Sequence, residues 1–190
     1  IEKRHYLAVV EPFNRSQISA RVTAEVTEVL RDEGEKVMAG QTLLQLDDVE
    51  VQQNLKELLL RIKQARAELS AKRAKIKSLE SSRKYWQAEA RRDRNLADSN
   101  AIPKSQAQRT ATRADEVKGN LQAARKEATA IKRQIDALKQ QQNQLQTQLT
   151  YYSIKSPYSG VVSKRYVDPG ALASPGNSLI EIEDHNALKL

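Results

Sequence analysis

A split β-sandwich with a long antiparallel two-helix coiled-coil hairpin inserted between its halves, an α+β fold, is predicted for this 190-residue chain by three observations. Composition changes twice along the chain. Residues 1–48 and 150–190 are rich in β-branched residues and hold five of the six glycines, whereas 49–149 contain one Gly and one Pro among good helix formers. Within that central block apolar residues recur in steps of four and three, the pattern of a coiled-coil seam. The two outer blocks share the order strand, Gly turn, Gly turn, strand, an internal near-repeat that predicts two interlocked halves of one sandwich.

Taken in order, Ile18 to Leu30 reads as a strand, followed by turns at Gly34 and Gly40 and a second strand around Leu43, Leu44 and Leu46. Asp47, with Glu50 three residues later, is a helix start of the capping-box type. One seam track of the first helix is Leu55, Ile62, Leu69 and Ile76. Its companion is Val51, Leu58, Ala65, Leu79 and Trp86, and Lys72 and Arg83 are the interruptions. Asp98, Ser99 and Asn100 form turns, and Pro103 cannot continue a helix but can open one, so the tip is predicted at about 96–104.

The second helix carries Ala114, Leu121, Ala128, Ile135 and Leu149 on one track and Val117, Ala124, Ile131, Leu138 and Leu145 on the other, with Gln142 interrupting. Each helix has nearly fifty residues, about 70–75 Å at 1.5 Å per residue, so the pair returns to its starting point. Gly119 weakens the second helix by about 1 kcal/mol relative to Ala. The second β-half runs through Ile154, Pro157, Gly160, Val161 and Val162 to Gly170, Gly176, Leu179, Ile180 and Ile182.

The phrases EGEKVMAGQTLLQLDD and IKSPYSGVVSKRYVDPGALASPGNSLIEI resemble the biotinyl/lipoyl domain. With a helical hairpin between its halves, the chain resembles the membrane fusion protein (HlyD-type) family of periplasmic adaptors, over nearly its whole length. That resemblance implies a lipoyl-like domain at 18–48 plus 150–184 and a hairpin at 49–149. It also implies stubs of a β-barrel or membrane-proximal region at 1–17 and 185–190. One departure is Ala24, where the family usually has Gly, a change expected to alter a turn.

The family's hairpin tip reads Arg-x3-Leu-x6-Ser and meets a TolC-like outer-membrane duct. Here Arg92 and Leu96 match by spacing, Pro103 stands at the Ser position, and Ser105 follows two residues later. The resemblance further implies an inner-membrane transporter, ATP-driven or proton-driven, as partner and a ring of copies, six in number. It places the protein in the periplasm, held to the inner membrane through segments outside this chain. Without a nucleophile elbow or a Gly-rich phosphate loop in the sequence, no cofactor and no enzymatic activity are expected.

Residues 49–149 hold 22 Lys/Arg against 11 Asp/Glu, and the rest 10 against 13, so the net +8 belongs to the hairpin. A basic coiled coil could bind nucleic acid, but interleaved aromatics and reader motifs are lacking, and a solvated helix face explains the charge. At the tip, where Arg91, Arg92 and Arg94 cluster, a protein partner is the better expectation.

A biotin or lipoate carrier needs a Lys at the turn joining the halves. About a hundred residues occupy that place, and Met38, the single Met, is followed by Ala. The absence of cysteine excludes disulfide, thiolate-metal and cysteine-nucleophile chemistry. His5 and His185 have no converging partners in the sequence and read as surface residues. Tyr85-Trp86 reads as an aromatic plug of the thin seam.

Overall fold

The computed structural model describes the backbone of residues 11–189 and side chains from 15 to 184. His5, Leu190 and residues 1–10 of the stub expected at 1–17 lie outside the described residues, as does the side chain of His185. The elements are β1 (Glu11–Ser19), β2 (Ala24–Val29), β3 (Lys36–Val37), β4 (Thr42–Leu46), α1 (Val49–Asp98), α2 (Lys104–Leu149), β5 (Ser153–Lys155), β6 (Gly160–Arg165), β7 (Leu172–Ala173) and β8 (Ser178–Lys189). They divide into a β-unit, which keeps the helix roots up to Lys56 and from Asn143, and a hairpin unit, Glu57–Gln142.

In the β-unit two four-stranded sheets run β1-β8-β6-β3 and β5-β4-β2-β7. Moving every strand four places along the chain order turns one sheet into the other, so the halves are interlocked about a pseudo-twofold. Every named strand pair is antiparallel. The inward positions Val26, Leu44, Leu46, Val162, Ile180 and Ile182 are at most 1% exposed and form the shared core. That burial of aliphatic surface drives the two halves together. Val51 of α1 and Leu145 and Leu149 of α2 pack on the same core and root both helices in it.

The symmetry extends to the turns. Gly34 and Gly170, after β2 and β6, have φ of 85° and 87°, in the left-handed region that side chains with a Cβ seldom adopt. Gly160 opens β6 for a different reason. A Cβ there would sit 2.4 Å from the backbone oxygen of Glu183 in β8. Its counterpart Ala24 opens β2 and pairs with Ala173. Ala24 does not adopt the left-handed conformation that would call for Gly. The chain leaves the sheet at Asp47 for α1, so β4 does not extend past Ala24 as β8 extends past Gly160.

The start of α1 is capped differently from the expected box. Asp48 occupies the N-cap, its carbonyl accepting the Gln52 N–H at 2.9 Å and its side chain the Gln52 amide at 2.9 Å. Asp47 accepts the Val49 N–H at 3.1 Å from one residue before the cap. Two adjacent aspartates divide a task assigned to one, because the tight exit from β4 brings both to the first turn.

Within the hairpin unit the helices are antiparallel, as cross-helix bonds show: Lys72 to Glu127, Glu80 to Arg125 and Asp93 to Thr110, each 2.6 Å. Ile62, Leu121, Ile131 and Ile135 are buried, whereas Leu69, Ile76 and Leu138 are half-buried, as is Leu55 at the root. Ala65, Ile131 and Ile135 form one buried cluster, with Leu69 and Leu138 against it. Lys72 answers its break in the seam by pairing with Glu127. Arg83 does not, and its buried Nε lacks a partner. The aromatic pair splits, contrary to the plug expectation for both. Trp86 is half-buried, while Tyr85 is 58% exposed, since consecutive helix residues point about 100° apart.

Candidate functional site

The hairpin tip is built by a helix stop that its own sequence supplies. Asn100 adopts φ 59°, the left-handed conformation that Asn tolerates better than most residues. With it, the Ala101 N–H reaches the Leu96 carbonyl at 2.8 Å and the Asn100 N–H reaches the Ala97 carbonyl at 3.0 Å. This is the Schellman arrangement, in which the last helical carbonyls find donors beyond the helix. The Ser99 hydroxyl adds a 2.9 Å bond to the Leu96 carbonyl. Pro103 accepts the Gln106 N–H at 2.9 Å as α2 begins.

All four expected docking residues are exposed: Arg92, Leu96, Pro103 and Ser105. Arg92 and Leu96 stand one helical turn apart on the same face of α1, and the Arg92 guanidinium bonds Glu89 at 2.9 Å. Leu96 is 38% exposed, and its backbone forms the stop described above. Pro103 and Ser105 stand across the turn at the head of α2. Among the described residues, no hydrogen bond or ion pair joins any of the four to another. The structure presents them on one tip without linking them.

Arg91 and Arg94 face a different way from Arg92. With Asp98, Lys104 and Asp115 they rim a groove between the helices, floored by Ala90, Ala97, Ala107, Ala111 and Ala114. The helix dipoles are left uncompensated here. The last turn of α1 carries Asp98 and no base, beside the partial negative end of the helix. The first turn of α2 carries Lys104 and no acid, beside its partial positive end. Each is unfavourable by about 0.3–1 kcal/mol.

Two further arrangements escaped the sequence reading. Asp93 and Thr110 bond across the hairpin at 2.6 Å. The signal was present, because one heptad beyond Trp86 and one before Val117 land on these two positions. The second is Glu181, which is 1% exposed. Gln17 at 3.0 Å, Tyr166 at 2.8 Å, Arg15 at 2.5 Å and Ser163 at 3.2 Å all donate to its carboxylate. The bonds from Gln17 and Tyr166, then those from Arg15 and Ser163, outweigh burial and hold its pKa down to about 2. Alternation along β8 turns Glu181 away from the core, and a single strand cannot show that β1 and β6 cover it.

Among the described residues, no three His, Cys, Asp or Glu side chains converge to hold a metal ion. Among the same residues, no helix is long and apolar enough to cross a membrane.

A family model described as the CzcB-like barrel-sandwich hybrid domain matches residues 14–184. MacA from Actinobacillus actinomycetemcomitans is similar in structure, with a TM-score of 0.61 and 19% identity over 94% of this chain and 52% of that one. The periplasmic adaptor protein EmrA gives a TM-score of 0.51 and 18% identity, over 94% of this chain and 74% of that one. At these identities the likeness is one of fold, and the chain spans about half the length of MacA. No curated protein matches the chain. With the family model matching residues 14–184, which take in both β-halves and the hairpin between them, the chain belongs to the CzcB-like barrel-sandwich hybrid family.

Proposed function

We propose that this chain is the hairpin-bearing part of a periplasmic adaptor. It links an inner-membrane exporter, ATP-driven or proton-driven, to an outer-membrane TolC-like channel for efflux or secretion. The lipoyl-like sandwiches stand side by side in a ring of six, and the hairpin tips dock the channel through Arg92, Leu96, Pro103 and Ser105. The chain contributes reach and a docking end, with the seam stiffening the reach. Its place is the periplasm, at the inner membrane.

One observation carries this reading. The tip exposes a guanidinium, a leucine and a proline around a rigid helix stop whose dipole charges are left uncompensated. Such a surface suits end-on contact with carbonyls and carboxylates of a partner. That EmrA is itself called a periplasmic adaptor protein supports the same reading.

The test is Arg92→Asp in cells that depend on the exporter. Export is expected to fall at least tenfold while the helicity of the purified protein stays unchanged. Undiminished export would remove the tip from the docking role.

A further inference from the structure

The two lateral edges of the sandwich have twin backbones and different side chains. β3 ends the first sheet and β7 the second, each a two-residue strand bonded to one neighbour. They stand on opposite sides of the unit. A bridge between Ala20 and Pro175 sets the β7 side beside the end of β1. Gly40 to Ser156, at 2.7 Å, and Ser156 to Gln41, at 2.9 Å, tie the end of β3 to the β5 side.

The pseudo-twofold puts Leu172 of β7 where β3 carries Lys36. Leu172 is 66% exposed, and Met38, just past β3, is 70% exposed. No other large apolar side chain described in the β-unit is as exposed. Beside Met38 an open groove of about 590 Å³ lies against the paired strands β3 and β6, bounded by Val37, Val161, Gln41 and Ser159 and flanked by Lys36. Opposite Leu172 in the ladder is the exposed Glu25. One edge is thus an apolar hollow beside a cation, and the other an apolar knob beside an anion.

We propose that the Leu172 edge of one copy seats in the Met38 groove of the next, with Glu25 turned toward Lys36. The proposal rests on the ring reading above and supplies the surface that reading lacks. Two unlike, complementary patches on opposite sides of one unit make a head-to-tail contact that repeats from copy to copy. A self-complementary pair would stop at a dimer. The occupant is a second copy because both the knob and the hollow, with opposite charges, lie on this chain. Apolar side chains left exposed at a sheet edge are otherwise a liability, and covering them removes it.

The chain has no cysteine, so introduced ones report cleanly. In the intact protein, Met38→Cys with Leu172→Cys in one chain, treated with a short bismaleimide, is expected to give a ladder of dimers and higher species. Each single variant is expected to stay uncrosslinked. Leu172→Lys is expected to weaken self-association, measured by sedimentation, about tenfold or more, since a buried leucine is lost. Both positions are surface-exposed, and circular dichroism checks that the variants fold.

Cross-linking of Met38→Cys alone would mean a self-complementary contact and overturn the proposal. Assembly without a ladder would overturn this surface and leave the ring standing, whereas a protein that sediments as a monomer throughout would overturn both. If Leu172→Lys spared self-association but stopped co-purification of the exporter, the edge would belong to the exporter, and the proposal would fail.

Discussion

Arg15 Nε lies 2.5 Å from Oε1 of Glu181, joining β1 to β8 across 166 positions of sequence. The carboxylate is buried under polar side chains rather than in the aliphatic core, and each of its oxygens has two donors. Removing it strands those donors. Glu181→Ala is expected to cost about 3 kcal/mol in denaturant unfolding. Acid should also reveal it. Because the folded pKa is lowered from 4.5 to about 2, the stability from Glu181 is complete above pH 4.5 and is lost as pH falls toward 2. The difference between the protein and Glu181→Gln should therefore be constant above about pH 5 and shrink below it.

Two glycines should respond in opposite directions to the same substitution. Gly160→Ala drives a Cβ into the Glu183 backbone at 2.4 Å and is expected to destabilise by about 2–3 kcal/mol. Gly119→Ala, in mid-helix with nothing within 4 Å, is expected to stabilise by about 1 kcal/mol. Thermal melts of the two variants decide both.

The seam should discriminate between its apolar and charged members. Leu69 packs against the Ala65, Ile131 and Ile135 cluster, so Leu69→Asp is expected to cost about 3 kcal/mol and to lower helicity sharply. Lys72→Asp loses a partly exposed pair with Glu127 and adds repulsion, so it is expected to lower helicity much less. Circular dichroism at 222 nm through a melt separates the two.

At the tip, Asp98→Lys combined with Lys104→Asp turns both helix ends favourable to their dipoles. The hairpin is expected to gain about 1 kcal/mol. Export is expected to fall, if the uncompensated charge serves docking. A gain in melting temperature with unchanged export would mean that the tip charges are incidental.

Periodic burial made most of this fold legible. The steps of four and three that place Ile62, Leu121, Ile131 and Ile135 in the seam are local to each helix, and so is the turn chemistry around Asn100. The near-repeat of strands and glycine turns announced interlocked halves, since each half leaves its aliphatic face bare without the other. Misreadings and omissions arose where a neighbour from far along the chain decides. Consecutive Tyr85 and Trp86 share a composition, but only one lies toward α2. Glu181 alternates outward from the core and is nonetheless sealed by β1 and β6.

The order of apolar residues therefore determined, on its own, that the chain forms a bisected sandwich around a matched pair of helices. Tertiary structure alone decided which outward-facing groups are covered, where Gly160 is required and Ala24 suffices, and which side chains stand together on the tip and the edges. Burial against a partner within the same element repeats with that element's period and is written in sequence. Burial by strands more than a hundred residues away has no period, and it exists only once the chain has folded.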